Sequence, residues 1–287
     1  MAGNREHPVT IACAQIEVSP DVALAHEKIA DALSDARARG AALVVFPECV
    51  VGGYSPNEWR EGIRAICWDA IETSITEIRR LCRRLKIAAV IGAPRRKGNA
   101  VFNSALAIGE NGSVLAIYDK IHLTGMRARR DDAGFFSKGA ALPVAVVGGI
   151  RIGMQICMDF RFPEPYRLLQ SMGVRLVCQP TCVTGREGLW KNSILSAHIA
   201  SRAAENEFFV ALCNSAGPFQ NMPSQIVDLD GKVMVSAPLD EETIIYAEVD
   251  PMRRPRMDIL GSRADDVYTL SLIPSQVERK PSRGRKR

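Results

Sequence analysis

The sequence lacks a long uncharged apolar run. Its longest such segments, Ala41–Pro47 and Ala140–Ile150, are shorter than the about 20 residues that a membrane-spanning helix needs. The N-terminus is polar and leads directly into a strand-like run, so we expect neither a secretory signal nor a membrane span. Since 47% of the 287 residues are apolar and 24% are charged, wholly disordered and collagen-like chains are excluded too.

The chain has no net charge outside its C-terminal residues. The chain carries a formal charge of +5, and residues 280–287 supply five positive side chains without an acid, so residues 1–279 are neutral. A nucleic-acid-binding protein needs a basic face, which a neutral body does not provide. We therefore expect no nucleic-acid partner and predict that 280–287 is a disordered basic tail, with anion binding by this tail as the alternative.

Cysteine pairs with the spacing of a metal or redox site are missing. There is no CxxC pair, and Cys178 and Cys182 have no second Cys or His pair at zinc spacing. Most of the eight cysteines lie in apolar runs, where a thiol behaves as a small hydrophobe. We expect free thiols in a reducing cytoplasm and no metal.

Several common catalytic and nucleotide-binding motifs are also absent. The sequence contains no GxSxG, no GxxxxGK[ST] and no GxGxxG. These absences argue against a serine hydrolase of the α/β-hydrolase type and against a phosphate-binding loop.

Short β-branched runs alternate with longer amphipathic segments, which predicts an α/β protein. The predicted strands are too many for one open sheet of ordinary size, so we expect two sheets packed face to face with helices outside. One domain should span residues 1–279, and its extension 251–279 holds enough apolar residues to pack on the body or across a dimer. The predicted helices are Asp21–Arg39, Trp68–Leu85, Pro163–Met172 and Leu189–Asn206. The predicted strands are Val9–Ile16, Ala42–Pro47, Ile87–Ala93, Val101–Ile108, Val114–Lys120, Val144–Val147, Ile150–Ile156, Val174–Gln179, Phe208–Cys213, Gln225–Asp228, Lys232–Val235 and Thr243–Val249.

Three predicted strands end at a residue that can carry chemistry: Glu48, Lys120 and Cys157. Alone, each has a simpler interpretation as a helix cap, a solvated cation or a core thiol. Together they are chemically coherent, because the carboxyl ends of strands in α/β folds meet at one crevice. A lysine lowers the pKa of a nearby thiol, and a carboxylate can take the thiol proton.

The residues around these three positions resemble the nitrilase superfamily of carbon–nitrogen hydrolases. The resemblance covers about residues 8–250, in order and at family-like spacings. It is carried by Phe46-Pro47-Glu48 with Gly53-Tyr54, by Tyr118–Leu123 and Gly153–Glu164, and by Arg202–Asn206, Asn214–Gly217, Asp228–Gly231 and Ala247–Asp250.

The resemblance implies a four-layer αββα sandwich whose outer helices pack into a homodimer or larger assembly. It implies Cys157 as nucleophile, Glu48 as general base and Lys120 as its electrostatic partner, with the backbone N–H of Met158 as a second oxyanion donor. Such enzymes release ammonia or an amine through a cysteine thioester, and they need no metal or organic cofactor.

One departure concerns a second acid that many members of the superfamily carry after the lysine motif. Many members carry a glutamate at this place, and the register from Phe136 and Gly139 gives Asp132 here. We expect Asp132 to support Lys120. Asp131 remains the alternative if the loop is shifted.

The residues after the nucleophile favour an amide or ureido substrate. Nitrilases proper usually show Cys-Trp-Glu, whereas this chain shows Cys157-Met158-Asp159, which is similar to the amidase and carbamoylase branches. Candidate specificity loops are 54–59, 126–136 and 181–190. The candidate substrate-binding residues are Tyr54, Arg161, Arg186 and Trp190. For Arg161, an ion pair with Asp159 or Glu164 is the simpler alternative.

Other functions remain open at this point. The chain is alternatively a non-catalytic dimeric scaffold or metabolite binder of the same fold, for which Asp132 is the only support. A nitrile hydrolase is a second alternative, and a glutaminase that feeds ammonia to a separate synthetase is a third.

Overall fold

The strands of the chain form two six-stranded mixed sheets. The structure is a computed structural model, and it describes residues 8–61, 65–125, 132–186, 190 and 192–261. Its strands are β1 (Val9–Gln15), β2 (Leu43–Val45), β3 (Ala88–Lys97), β4 (Ala100–Ile108), β5 (Val114–Asp119), β6 (Val144–Val147), β7 (Ile150–Met154), β8 (Leu176–Thr181), β9 (Phe209–Asn214), β10 (Gln225–Val227), β11 (Val233–Ser236) and β12 (Thr243–Val249).

The two sheets follow the same plan. Their strand orders are β12-β1-β2-β3-β4-β5 and β11-β10-β9-β8-β7-β6. In each sheet the three central strands β1-β2-β3 or β7-β8-β9 are parallel, and the outer pairs are antiparallel. Parallel strands direct their carboxyl ends to one edge, which places the turns after β2, β7 and β8 close together.

Helices cover both outer faces of the stacked sheets. They are α1 (Val22–Ala38), α2 (Pro56–Arg60), α3 (Trp68–Leu85), α4 (Asp132–Phe135), α5 (Pro163–Ser171) and α6 (Asn192–Asn206), and a 3₁₀ turn spans Cys157–Arg161. Helices α1 and α3 bury Ile29 and Ile78 against the first sheet, while α5 and α6 bury Leu169 and Ile199 against the second. The inner faces of the two sheets form a third apolar layer. The predicted αββα sandwich is confirmed.

Some element boundaries differ from the predictions. Strands β8 and β9 run to Thr181 and Asn214, beyond the predicted ends at Gln179 and Cys213. Both polar residues are fully buried and pair with each other in the parallel ladder, so side-chain polarity did not mark the strand ends. The short helices α2 and α4 were not predicted. Leu189, the predicted start of α6, lies outside the described residues.

The first part of the C-terminal extension is tied to the second sheet by two arginines. Arg175 donates to the carbonyl oxygens of Pro251 at 3.1 Å and Arg253 at 2.6 Å. Arg253 in turn donates to Asp228 at 2.9 Å and to Asp230 at 2.6 Å. The extension beyond Gly261 and the basic tail 280–287 lie outside the described residues, so their predicted roles stay predictions.

Truncation after Asp250 is expected to destabilise the protein. It removes Arg253 and leaves partly buried polar groups on Arg175 and Asp228 without these partners, at a cost of about 2 kcal/mol. The melting temperature, followed by circular dichroism, should fall by roughly 5 °C. Truncation after Glu278 removes only Arg279 and the basic tail and is the matched control, with melting temperature and turnover nearly unchanged. A shift in either quantity on removing the tail alone would show that the tail docks.

Among the residues that the structure describes, no helix combines the length and the apolar character that crossing a membrane requires.

Candidate active site

Glu48 lies in the turn that follows β2 and is completely buried. Its Oε1 accepts hydrogen bonds from Lys120 Nζ at 2.7 Å and from Asn103 Nδ2 at 2.8 Å. Its Oε2 accepts from the backbone N–H of Cys182 at 3.0 Å. Burial raises the pKa of Glu48, and Asp132 adds to this, while Lys120 opposes it. A carboxylate with a raised pKa is suited to take and return a proton near neutral pH.

A glycine allows this turn to pass directly over the first sheet. A Cβ added to Gly92 on β3 would lie 2.4 Å from the backbone nitrogen of Cys49 and 2.5 Å from the carbonyl oxygen of Pro47. Both distances are shorter than van der Waals contact, so only glycine fits under the turn that carries Glu48.

Lys120 follows β5, and its ammonium group is buried between two carboxylates. Nζ lies 2.7 Å from Glu48 Oε1 and 2.5 Å from Asp132 Oδ2. Burial alone lowers the pKa of Lys120, but the charges of Glu48 and Asp132 outweigh burial and raise it above its usual value. Lys120 is therefore a fixed cation. Its backbone N–H donates to the carbonyl of Asn103 at 2.9 Å, which anchors it to β4.

Asp132 lies at the start of α4, and its carboxylate points at Lys120 as the register predicted. It also accepts a hydrogen bond from the Tyr54 hydroxyl at 2.9 Å and one from the backbone N–H of Thr124 at 3.2 Å. The shorter aspartate side chain thus still reaches the lysine. Asp131, the alternative acid, lies outside the described residues.

Cys157 follows β7 and begins the 3₁₀ turn with φ at 42°, in the left-handed region that non-glycine residues avoid. Unlike Glu48 and Lys120, Cys157 is only partly buried. Burial raises the pKa of the thiol, as does the charge of Glu48, whereas Lys120 and a hydrogen bond from the backbone of Cys182 lower it. The raised pKa keeps the resting thiol protonated, so attack requires a base such as Glu48.

The other predicted site residues have different surroundings. Tyr54 directs its hydroxyl at Asp132, so this group is already engaged within the protein. Arg161 lies over the ring of Phe160 at 5.7 Å, and Asp159 binds Tyr118 and His122 instead of Arg161. The exposed Arg186 stacks on Phe219 at 3.9 Å. Trp190 is 67% exposed, and Met158 directly follows Cys157 in the 3₁₀ turn.

Sequence reasoning missed several residues that build the site. Asn103 lies in the middle of β4 and binds Glu48, and the backbone of Cys182 binds the other oxygen of Glu48. Gln179 donates to the carbonyl oxygen of Cys157 at 3.3 Å. The one available signal was the polar character of Asn103 and Gln179 within otherwise apolar strands, because buried polar side chains need partners.

The described residues thus bring together the Cys157 thiol, one cation and two carboxylates. Among them, no group of three or more His, Cys, Asp or Glu side chains is arranged to hold a metal ion. An acid–base group beside a thiol, with a fixed cation nearby, can support nucleophilic attack by the sulfur on a carbonyl carbon.

Comparison with known proteins agrees with this chemistry. Residues 10–255 match the carbon-nitrogen hydrolase family. The chloroplastic omega-amidase of Arabidopsis thaliana is 29% identical over 91% of this chain and 73% of its own length.

Solved structures of an amidase from Nesterenkonia sp. share the fold. A mutant with the acetamide moiety of fluoroacetamide attached to its active-site cysteine has a TM-score of 0.78 and 26% identity, covering 92% of this chain and 97% of that one. A mutant in complex with butyramide has a TM-score of 0.77 and 25% identity, covering 94% and 99%. The family match covers most of the chain, and this protein therefore belongs to the carbon-nitrogen hydrolase family and is an enzyme that hydrolyses carbon–nitrogen bonds.

Proposed function

We propose that Cys157, Glu48 and Lys120 hydrolyse a small amide or N-carbamoyl compound through a cysteine thioester. The observation that carries this proposal is the buried contact of Lys120 with Glu48 at 2.7 Å, in a cluster whose charges act on the Cys157 thiol.

In the first half of the reaction, Glu48 takes the Sγ proton of Cys157 as the sulfur attacks the carbonyl carbon. The oxygen of the tetrahedral intermediate becomes negative, and Lys120 Nζ with the Met158 N–H is proposed to stabilise it. Glu48 then gives its proton to the leaving nitrogen. The C–N bond breaks, ammonia or an amine departs, and the acyl group stays on Cys157 as a thioester.

In the second half, water replaces the departed amine. Glu48 removes a proton from the water as its oxygen attacks the thioester carbon, and the proton passes to the Cys157 sulfur when the C–S bond breaks. The products are a carboxylic acid and the original thiol. Asp132 takes no proton in this scheme; its charge keeps Lys120 in its cationic form throughout.

The substrate class is proposed from the relatives and from Arg186. The relatives bear the names of amidases, and the Nesterenkonia structures hold simple amides. Arg186, four residues after Cys182, is exposed and oriented by Phe219, so it is the proposed partner of a substrate carboxylate. The adjoining residues 187–189 and most of the candidate loop 126–136 lie outside the described residues.

An ammonia-release screen tests this function. The panel compares ω-amides of dicarboxylic acids, N-carbamoyl amino acids, uncharged aliphatic amides and the matching nitriles. We expect release from an amide or N-carbamoyl compound, and an Arg186→Met variant should raise KM for carboxylate-bearing substrates but not for uncharged ones. Turnover of nitriles alone would contradict the proposal.

Alkylation distinguishes a catalytic site from a passive binding protein. Iodoacetamide at neutral pH should modify Cys157 stoichiometrically and abolish turnover. Since Cys67 is exposed, labelling has to be assigned to Cys157 by peptide mass spectrometry. Full activity after complete labelling of Cys157 would contradict the proposed nucleophile.

We further propose a homodimer formed through α5 and α6. Large apolar side chains remain exposed on and beside these helices, including Leu168 at 55%, Met172 at 41% and Ile194 at 39%. Exposed apolar patches of this kind usually mark an interface. Trp68 at the start of α3 is half-buried under Arg96 and contributes less exposed apolar surface.

Light scattering at micromolar concentration should give twice the monomer mass or a multiple of it. Leu168→Glu places a charge on the proposed interface and is expected to shift the protein towards monomer. Leu115→Glu, at a leucine of similar type that is 39% exposed on β5, is the matched control and should leave the mass unchanged. A monomeric wild-type protein would refute the dimer.

A cytoplasmic location is also proposed. All eight cysteines are free, including the exposed Cys67, as expected of a protein in a reducing compartment.

A further inference from the structure

Asp159 is a completely buried carboxylate to which four hydrogen-bond donors point. Its Oδ2 accepts from the Tyr118 hydroxyl at 2.7 Å and from the backbone N–H of Ile156 at 2.9 Å. Its Oδ1 accepts from the backbone N–H and the ring Nδ1 of His122, both at 2.9 Å. Tyr118 and His122 lie two residues before and after Lys120, and Ile156 directly precedes Cys157. One carboxylate therefore joins the two segments that carry the proposed catalytic groups.

On the nucleophile side, Asp159 closes the turn that contains Cys157. The backbone N–H of Asp159 donates to the carbonyl of Ile156 at 3.0 Å, while its side chain accepts from the N–H of the same residue. Cys157 lies between them with φ at 42°. A non-glycine residue stays in this region only where its surroundings enforce it, and the paired hydrogen bonds of Asp159 do so here.

On the lysine side, both donors are themselves held in place. Tyr118 is fully buried between the sheets, and its oxygen accepts a hydrogen bond from the N–H of Ile121 at 3.3 Å. Burial raises the pKa of Tyr118, and the neighbouring Asp159 adds to this, so the hydroxyl keeps its proton and remains a donor. The His122 ring stacks on Phe162, with 3.7 Å between the ring centroids.

We propose that Asp159 is a positioning residue that sets the place of Cys157 relative to Lys120. This inference rests on the proposed roles of those two residues. The cation lowers the pKa of the thiol and stabilises the oxyanion only at short range, so the distance between the two segments controls both effects. Asp159 reaches no reacting atom in the proposed reaction. It acts by holding the segment that precedes Cys157 and the segment around Lys120 in fixed positions.

Asp159→Asn tests the proposal. An amide offers one acceptor oxygen and a donating NH₂ group, and the NH₂ group would face donors that now meet an oxygen. We expect kcat to fall about 100-fold, as for a displacement of the reacting groups by about 1 Å, with KM nearly unchanged. The pH profile of Cys157 alkylation should move to higher pH, because the thiolate loses part of its stabilisation by Lys120. Glu164→Gln, an exposed carboxylate at the start of α5, is the control and should leave both readouts unchanged.

Tyr118→Phe keeps the test decisive if Asp159→Asn does not fold. It retains the buried ring, removes one donor to Asp159 and should lower kcat about tenfold with a smaller shift of the alkylation profile in the same direction. A folded variant with wild-type kcat and an unchanged profile overturns the proposal. So does a loss of activity that only tracks the unfolded fraction. If complete alkylation of wild-type Cys157 left turnover intact, the proposed function itself would fail, whatever these variants show.

Discussion

Replacing Cys157 with alanine is expected to abolish turnover while leaving the fold intact. Without the sulfur no thioester forms, and loss of a covalent nucleophile in other hydrolases lowers kcat on the order of 10⁶-fold. The melting temperature should change little, because the residue is only partly buried and alanine removes a single heavy atom. The measurement is kcat on a substrate identified by the ammonia screen, together with thermal unfolding.

Cys178→Ala is the matched control for this variant. Cys178 is fully buried between the sheets on β8, and its thiol has no role in the proposed reaction. Its loss should lower stability slightly and leave kcat close to the wild-type value. Near-normal activity of Cys157→Ala would show that another group attacks the substrate.

Replacing Lys120 with methionine is expected to cost both activity and stability. The variant removes the cation between Glu48 and Asp132, both completely buried, and leaves their charges uncompensated. Breaking a buried ion pair from one side typically costs about 3–5 kcal/mol. Since Lys120 lowers the pKa of Glu48, its loss should raise that pKa further and leave the proposed base protonated at neutral pH. Turnover should fall by several powers of ten.

The double variant Lys120→Met/Asp132→Asn separates the two effects. Neutralising Asp132 removes one of the two unpaired carboxylates, so part of the lost melting temperature should return. Turnover should remain absent, because the proposed oxyanion donor is still missing. Recovery of activity in the double variant would contradict the role proposed for Lys120 and leave it with a purely structural one.

The sequence by itself determined the architecture and indicated three candidate catalytic groups. Alternation of β-branched runs with amphipathic helices is a local pattern, and the number of strands already required two stacked sheets. Glu48, Lys120 and Cys157 were identifiable because each interrupts or ends an apolar strand run with a reactive side chain. The resemblance to the superfamily indicated Asp132 through its register to Phe136 and Gly139, and α4 begins at that residue.

Only the tertiary structure decided what surrounds those groups. Asn103 and the Cys182 N–H bind the two oxygens of Glu48 from different sheets, and nothing in the local sequence of either strand indicates that meeting. The same holds for Asp159, which sequence reasoning offered, with Glu164, as a possible partner of Arg161, and which the structure pairs with Tyr118 and His122. The physical reason is common to these cases. A strand pattern reports which residues are buried, whereas the partner of a buried polar group depends on how distant segments stack, and that is settled only when the two sheets pack together.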